Sequence, residues 1–408
     1  MNMNAPILFK NTKYPNRCPV YFWRPWYPSS TFFELLYKFD KLFDQDYIKK
    51  TIRELEFTLK EYFRCDYVIF TPSGSASIFL VCKTILNKNE VLLPSLVCDV
   101  VPHTIQQSGN PMNFLEVNSS TYNIDENDIL NKITSKTGAI LAVHQFGFPC
   151  QMDTISDIVK DKNCLLIEDA AQSFGAEYKN KKVGTIGDIG IFSFNNKVLD
   201  ACGGGLIVTN NQQYYRKMNE IAESQFSIDY NKKRIIRNLI RSWLLSDYPR
   251  IGNAIGGLVS KEFIPELTEK INSITPLLVQ NIFPEIEKIL CYRKKNFNYY
   301  LSYLKANKII KPKWENQMKP SFTFCTLRFA NTSTRNIIKS MLSKKGIQSA
   351  VLAQSAHRKY NSKLHLPATD LVANTMLSFP TDPHIDEKHI LCVTDRINQI
   401  LYDEPNYI

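Results

Sequence analysis

Residues 165–178 read LLIEDAAQSFGAEY: three apolar side chains, two carboxylates, then small residues and a turn glycine. This pattern predicts a buried strand that stops at Glu168 and Asp169, holding one or both carboxylates at its C-terminal end. Working outward, short apolar runs recur at Tyr67–Thr71, Val91–Leu93, Met112–Val117, Ala139–Val143, Ile189–Phe194 and Leu206–Thr209, with helical patterns between them. Strands apolar on both faces and separated by helices predict an α/β fold, a mostly parallel sheet lying between helices. Ligands of such sheets gather beyond the C-terminal ends of the strands, so the candidates for function are sought there.

The 408 residues predict two packed lobes. Downstream the texture changes: Ile282–Leu304 predicts one long helix with Pro284 in its first turn. PSFTFCTLRFAN and TSTRNIIKSMLSKKGIQSAV then predict a smaller C-terminal α+β domain. The boundary is expected near Thr275, giving a large domain over 1–275, with an N-terminal extension over 1–50, and a small domain over 276–408. A hydrophobic fraction of 44% against 22% charged residues is that of a chain with a real core. There is no apolar run of about twenty residues and no signal-peptide pattern at the N-terminus. Ten cysteines are scattered singly, without CxxC pairs or metal-like spacing to histidine. Free thiols in the cytoplasm and no metal are therefore expected.

The net charge of +11 suits a phosphorylated small molecule, an anionic membrane surface or a nucleic acid. The bases are spread along the chain without a basic tail or a nucleic-acid motif, which argues against the last. Asn231–Leu245 (NKKRIIRNLIRSWLL) predicts a basic amphipathic helix with Ile236, Ile240, Trp243 and Leu244 on one face. That face packs on its own lobe or a second subunit, or else makes a peripheral membrane contact or a cationic wall for a diphosphate.

Three segments carry chemistry. TPSGSAS, residues 71–77, is a strand-to-helix turn whose free N–H groups suit a phosphate, although Ser and Gly there are equally good plain caps. Glu168 and Asp169 suit a cationic ring nitrogen, a metal, or a helix cap. FSFNNKVLDACGGG, residues 192–205, sets Lys197 beside backbone that allows close approach. A desolvated lysine loses its proton more readily and can act as a nucleophile toward an aldehyde. Together, anion cradle, carboxylate and lysine match the phosphate, ring nitrogen and aldehyde of pyridoxal phosphate (PLP).

Successive blocks strengthen that reading: VLLPSLVCDVVPHTI, MNFLEVNSSTYNID, AVHQFGFPCQMDTI, LLIEDAAQSFGAEYKNKKVGTIGDIGIFSF and MLSFPTDPHID. They resemble, in the same order, the PLP-dependent nucleotide-sugar aminotransferases of the DegT/StrS type. The resemblance runs from about Glu54 to the C-terminus. It implies a fold-type-I PLP-transferase architecture and a homodimer with active sites at the subunit interface. It further implies that Lys197 holds PLP covalently and carries the proton between cofactor and substrate carbons. Asp169 would pair with the ring nitrogen, Gln172 would lie near the phenolic oxygen, and Ser193 with Ser73, Gly74 and Ser75 would hold the phosphate. The implied reaction moves an amino group from an amino acid, typically L-glutamate, to a keto-sugar on a nucleotide diphosphate, in surface-polysaccharide or amino-sugar biosynthesis.

The sequence departs from the family pattern in places. Only Asn195 and Asn196 separate Phe194 from Lys197 where the family usually has three residues, and Cys202 stands where it usually has glycine. Cys98 occupies the position at which many members stack an aromatic ring on PLP, a trait shared with exopolysaccharide-type members. The family's asparagine-arginine pair that reaches across the dimer is not recognisable before Ile274; Lys270 or Asn272 are the substitutes. A related branch performs sugar dehydration with histidine in place of the lysine, and Lys197 argues against it. A PLP-dependent dehydratase, another acceptor on the same fold, or a degenerate scaffold homologue stand as alternatives. His144 and His357 read as lining or structural residues. FWRPWYPSS and Gln225–Phe263 are expected to shape the substrate pocket.

Overall fold

The computed structural model describes residues 20, 22, 26–28, 30–247, 270–305 and 309–403. Parts of the N-terminal extension and of the two expected pocket-shaping stretches lie outside these residues.

All seven apolar runs enter one sheet: β1 (Tyr67–Thr71), β2 (Glu90–Pro94), β3 (Met112–Leu115), β4 (Thr137–Val143), β5 (Leu165–Asp169), β6 (Ile189–Ser193) and β7 (Gly205–Thr209). Their order is β1-β7-β6-β5-β4-β2-β3. β7 runs antiparallel to both β1 and β6, and every other neighbouring pair is parallel. Alternate residues feed two apolar layers, Val68, Phe70, Leu166 and Phe192 on one face and Ile69, Ile167, Ile191 and Ile207 on the other. Burial on both sides explains why these strands read as continuous apolar runs.

Helix α1 (Gln45–Phe63) covers one face by burying Ile48, Thr51, Leu55, Leu59 and Phe63, a stripe of three- and four-residue steps. Asp44 caps it, its carboxylate accepting the N–H groups of Asp46 and Tyr47 at 3.1 and 3.0 Å. Helix α2 (Gly74–Val81) follows β1, and the basic amphipathic segment forms α3 (Lys232–Asp247). Next come α4 (Ile274–Ile282) and α5 (Ile286–Tyr303). The expected single helix over 282–304 thus begins later: Pro284 sits in a tight 3-10 turn, Phe283–Glu285, because its ring and missing N–H suit a helix entrance.

Beyond α5, β8 (Phe324–Arg328) pairs antiparallel with β9 (Met376–Pro380). Helices α6 (Thr332–Lys344) and α7 (Glu387–Asp403) enclose this ladder with α5. Their apolar cluster also takes in Tyr122, Phe146 and Phe148 from the first half. Gln354–Ser355 pairs with Leu96–Val97, so C-terminal residues reach the chain just beyond β2.

One titratable group lies between α1 and the sheet. Glu56 accepts the Phe70 N–H at 2.9 Å, and burial pushes its carboxyl up to about 7. The folded chain therefore holds this proton more tightly than the unfolded chain, and stability falls as pH rises from 4.5 toward about 7. Glu56→Gln keeps an acceptor for Phe70 and removes the charge. It is expected to flatten that slope and to raise stability at about pH 8 by about 1–3 kcal/mol, read as Tm against pH. A variant less stable than wild type above neutrality would contradict this account.

Candidate active site

The C-terminal edge of the sheet is organised by a carboxylate that has no capacity to spare. Glu168 is fully buried and accepts the N–H groups of Gly184, Ile186 and Gly187 at 2.8, 2.7 and 2.6 Å. Its Oε2 is also 3.0 Å from His144 Nε2. His144 Nδ1 accepts the Cys150 N–H at 3.0 Å, which leaves the ring proton on Nε2 to be donated to Glu168. This arrangement pins the 184–187 loop against β5 and β6. The approach is so close that a Cβ on Gly190 would lie 1.9 Å from the Gly184 carbonyl oxygen. Glu168 and His144 are thus structural partners of each other.

Asp169 has fewer partners. It is buried, and one oxygen accepts the Ala171 N–H at 3.0 Å. Among the described residues it makes no ion pair within 4.0 Å. Burial pushes its carboxyl up; the Ala171 N–H, Lys197 and His144 act against that. A buried carboxylate without a cation is expensive, so this position is complementary to a bound cationic group.

Lys197 lies on the hairpin that joins β6 to β7. Ser193 and Gly205 remain paired at its base, and Phe194 exchanges further bonds with Gly204 and Ala201. Within it, Asn196 and Cys202 take left-handed backbone at φ 54° and 62°. Asparagine tolerates that region, whereas cysteine does so at some cost. Cys202 Sγ also lies 3.4 Å from the Tyr27 hydroxyl. Lys197 is half-buried, and burial holds its ammonium below the usual lysine range, against the opposing pull of Cys98, Asp169 and Asp200. Cys98 itself is exposed, on the segment beyond β2.

The hairpin leans on the start of α2. Gly204 N–H bonds to the Pro72 carbonyl at 2.8 Å, and a Cβ on Gly205 would lie 2.5 Å from the Ser73 carbonyl carbon. A Cβ on Gly74 would lie 3.0 Å from that of Ser193, so the serine stays beside the helix start despite the shorter loop. Ser73 Oγ accepts the Ala76 N–H at 3.1 Å, and its carbonyl accepts that of Ser77 at 3.0 Å. The N–H groups of Gly74 and Ser75 are the remaining donors of that turn.

Gln172 follows on the loop after β5. Its Oε1 accepts the Phe146 N–H at 3.1 Å, and its carbonyl accepts the hydroxyls of Ser321 and Thr323 at 3.3 and 2.5 Å. Of the expected cross-dimer substitutes, Asn272 accepts the Ile274 N–H at 3.3 Å and Lys270 is exposed. His357 is buried, with Nδ1 2.7 Å from Ser95 Oγ.

Arg293 of α5 was not legible as a site residue. It is buried, and its guanidinium donates to the Thr323 carbonyl and Thr381 hydroxyl at 2.9 and 3.1 Å and to the Lys197 carbonyl at 3.4 Å. It thereby ties the lysine hairpin to the C-terminal half of the chain. In YRKKN it is one base among three, and nothing in its spacing sets it apart.

With this geometry in view, relatives can be compared. The profile of the DegT/DnrJ/EryC1/StrS aminotransferase family matches residues 43–398. GDP-perosamine synthase of Escherichia coli O157:H7 is 35% identical over 167 residues, 40% of this chain and 46% of that protein. GDP-4-keto-6-deoxy-D-mannose 3-dehydratase of Yersinia pseudotuberculosis is 30% identical over 175 residues, 41% of this chain and 44% of that one. The matched part thus spans about half the length of these curated relatives. Among solved structures, Helicobacter pylori PseC, an aminotransferase of pseudoaminic acid biosynthesis, superposes with a TM-score of 0.76 at 16% identity, over 95% of this chain and 100% of that one. That likeness shows the fold, a fold-type-I aminotransferase architecture. The match to the family profile covers most of the length, and the chain belongs to the DegT/DnrJ/EryC1/StrS aminotransferase family.

Proposed function

We propose that the chain is a nucleotide-sugar aminotransferase that moves an amino group from an amino acid, L-glutamate in the simplest case, to a keto-sugar on a nucleotide diphosphate. The product would serve surface-polysaccharide or amino-sugar biosynthesis. Family membership implies PLP, and the donor set fits it: a half-buried lysine, a buried carboxylate without a cation, and two free N–H groups at a helix start. When bound, PLP supplies an electron sink for the carbon that gains or loses the amino group.

The observation that carries the reading is Lys197, a lysine at the position where the dehydrating branch has histidine, held below its ordinary range by burial. A neutral Nζ is both the nucleophile that anchors an aldehyde and the base that takes a proton from carbon. Asp169, a carboxylate fixed by the Ala171 N–H, would hold a proton on the ring nitrogen. Gly74 and Ser75, with the hydroxyls of Ser73 and Ser193, would bind the phosphate at the α2 dipole. The Gln172 amide would orient the ring from one side, and Cys98 would lie along it without the usual aromatic stack.

The proposal extends to organisation. Residues 1–275 would bind the cofactor and 276–408 would form the second lobe; two lobes are supported by the separate apolar cluster that the C-terminal half joins from Phe297 onward, while the apolar residues of 277–289 pack with the sheet. A homodimer is supported by the uncovered row Phe33, Leu36 and Tyr37, which are 77%, 59% and 87% exposed. The cytoplasm is supported by the absence of a disulfide between described cysteines. No helix among the described residues is long and apolar enough to cross a membrane.

Two measurements test this reading. Wild type loaded with PLP is expected to keep a visible absorption band through dialysis and to lose it on addition of glutamate, with release of 2-oxoglutarate. Lys197→Ala should lose the dialysis-resistant band. Asp169→Asn should keep the band but slow the bleaching by roughly a hundredfold or more. A wild type that never bleaches with any amino donor, yet dehydrates a nucleotide-linked sugar, would assign the chain to dehydration instead. For assembly, light scattering should give twice the chain mass of 47.1 kDa, and Phe33→Glu with Leu36→Glu should shift it toward the single-chain value.

A further inference from the structure

Helix α3 carries two apolar rows, and the fold uses one of them. Ile235 and Leu239, four residues apart, are buried in the core. One position along, Ile236 and Ile240 are 39% and 47% exposed, and Trp243 continues the row at 42%. Ile236 and Ile240 of the face predicted from the sequence therefore lie outside the core.

The charges flank that row on one side. Lys233 and Arg237, also four apart, are exposed beside Ile236 and Ile240. Arg234 pairs with Asp229 at 3.0 Å, and Lys232 lies over the Phe43 ring at 5.4 Å. Lys233 and Arg237 have no carboxylate within 4.0 Å among the described residues. No acidic residue occurs between Lys232 and Ser246. A second copy docked symmetrically on this helix would set its bases against their own counterparts. An anionic lipid surface accepts both features, taking the isoleucines to the headgroup boundary while the long basic side chains reach the phosphates.

We propose that α3 docks the protein on the surface of an anionic phospholipid bilayer, through Ile236 and Ile240 with Lys233 and Arg237 alongside. The net charge of +11 adds a long-range attraction of the same sign. Docking is superficial, since the helix remains anchored to the fold by Ile235 and Leu239.

Flotation of the full chain with phosphatidylcholine vesicles, with and without phosphatidylglycerol, tests the proposal. Wild type is expected to float with the mixed vesicles, to stay behind with neutral ones, and to be released at ~1 M salt, where the screening length is ~3 Å. Ile236→Ser with Ile240→Ser should lower partitioning by roughly tenfold or more. Lys233→Gln with Arg237→Gln should lower it on the order of 25-fold on mixed vesicles, about fivefold per charge. Unchanged Tm and unchanged mass in solution establish that both variants are folded and assembled as wild type is. Failure of wild type to float with mixed vesicles, or equal flotation of wild type and the isoleucine variant, overturns the proposal. A change of mass in the isoleucine variant without loss of flotation overturns it too, by assigning the row to a second copy.

Discussion

A fully buried carboxylate must be satisfied from all sides, and Glu168 is the constraint on which the candidate site depends. It takes three backbone N–H groups from the 184–187 loop and faces the ring of His144. Removing any one partner would leave a buried charge short of a bond, a cost of about 1–3 kcal/mol. The loop, the strand end and the histidine are therefore fixed relative to one another. Asp169 follows Glu168 directly and inherits that rigidity while keeping an oxygen for other use. One carboxylate builds the edge, and the next is held there with a single N–H partner.

Asp169 and Lys197 shape each other's ionisation across this edge. Burial favours the neutral form of both, and each draws the other toward charge. Neither forms a close ion pair among the described residues, so the site holds two opposed tendencies without a salt bridge to quench them. A ligand that offers a cation to Asp169 and an electrophile to Lys197 relieves both at once. That matching, more than any single residue, is the physical ground for proposing PLP at this pair. Arg293 adds a positional condition, because its guanidinium spans the Lys197 carbonyl and two groups of the C-terminal half.

The strands were legible because burial on both faces writes uninterrupted apolar runs into the chain, and all seven entered the sheet. Each strand-end candidate alone reads equally well as a helix cap, and only the three segments together pointed to a site. From the residue pattern alone Glu168 and Asp169 could not be told apart, and only the family resemblance singled out Asp169; the 184–187 loop shows the physical difference by consuming Glu168. Arg293 was hidden for a related reason: its partners are backbone carbonyls and a hydroxyl, which leave no complementary charge in the sequence. The outward row of α3 was visible as an apolar face, but which of two neighbouring rows meets the core depends on how the helix is rotated about its axis. A shift of one position, from Ile236 to Ile235, decided it.

The lysine hairpin is pinned at its base and turns sharply at its tip. Its base is held by the Ser193–Gly205 pairing and by the contact of Gly205 with Ser73, where a single added Cβ would collide with backbone. Those contacts cannot shift without opening the sheet edge, so the sharp turning of the backbone falls at the tip. There the chain turns through left-handed positions at Asn196, Cys202, Gly203 and Gly204. Three of these four are residue types that enter this region readily, and Cys202 bears the remaining strain. Lys197 lies between Asn196 and Cys202, and the Arg293 bond to its own carbonyl stabilises the backbone at that point. The base of the hairpin thus fixes Ser193 against α2, while Arg293 fixes the lysine.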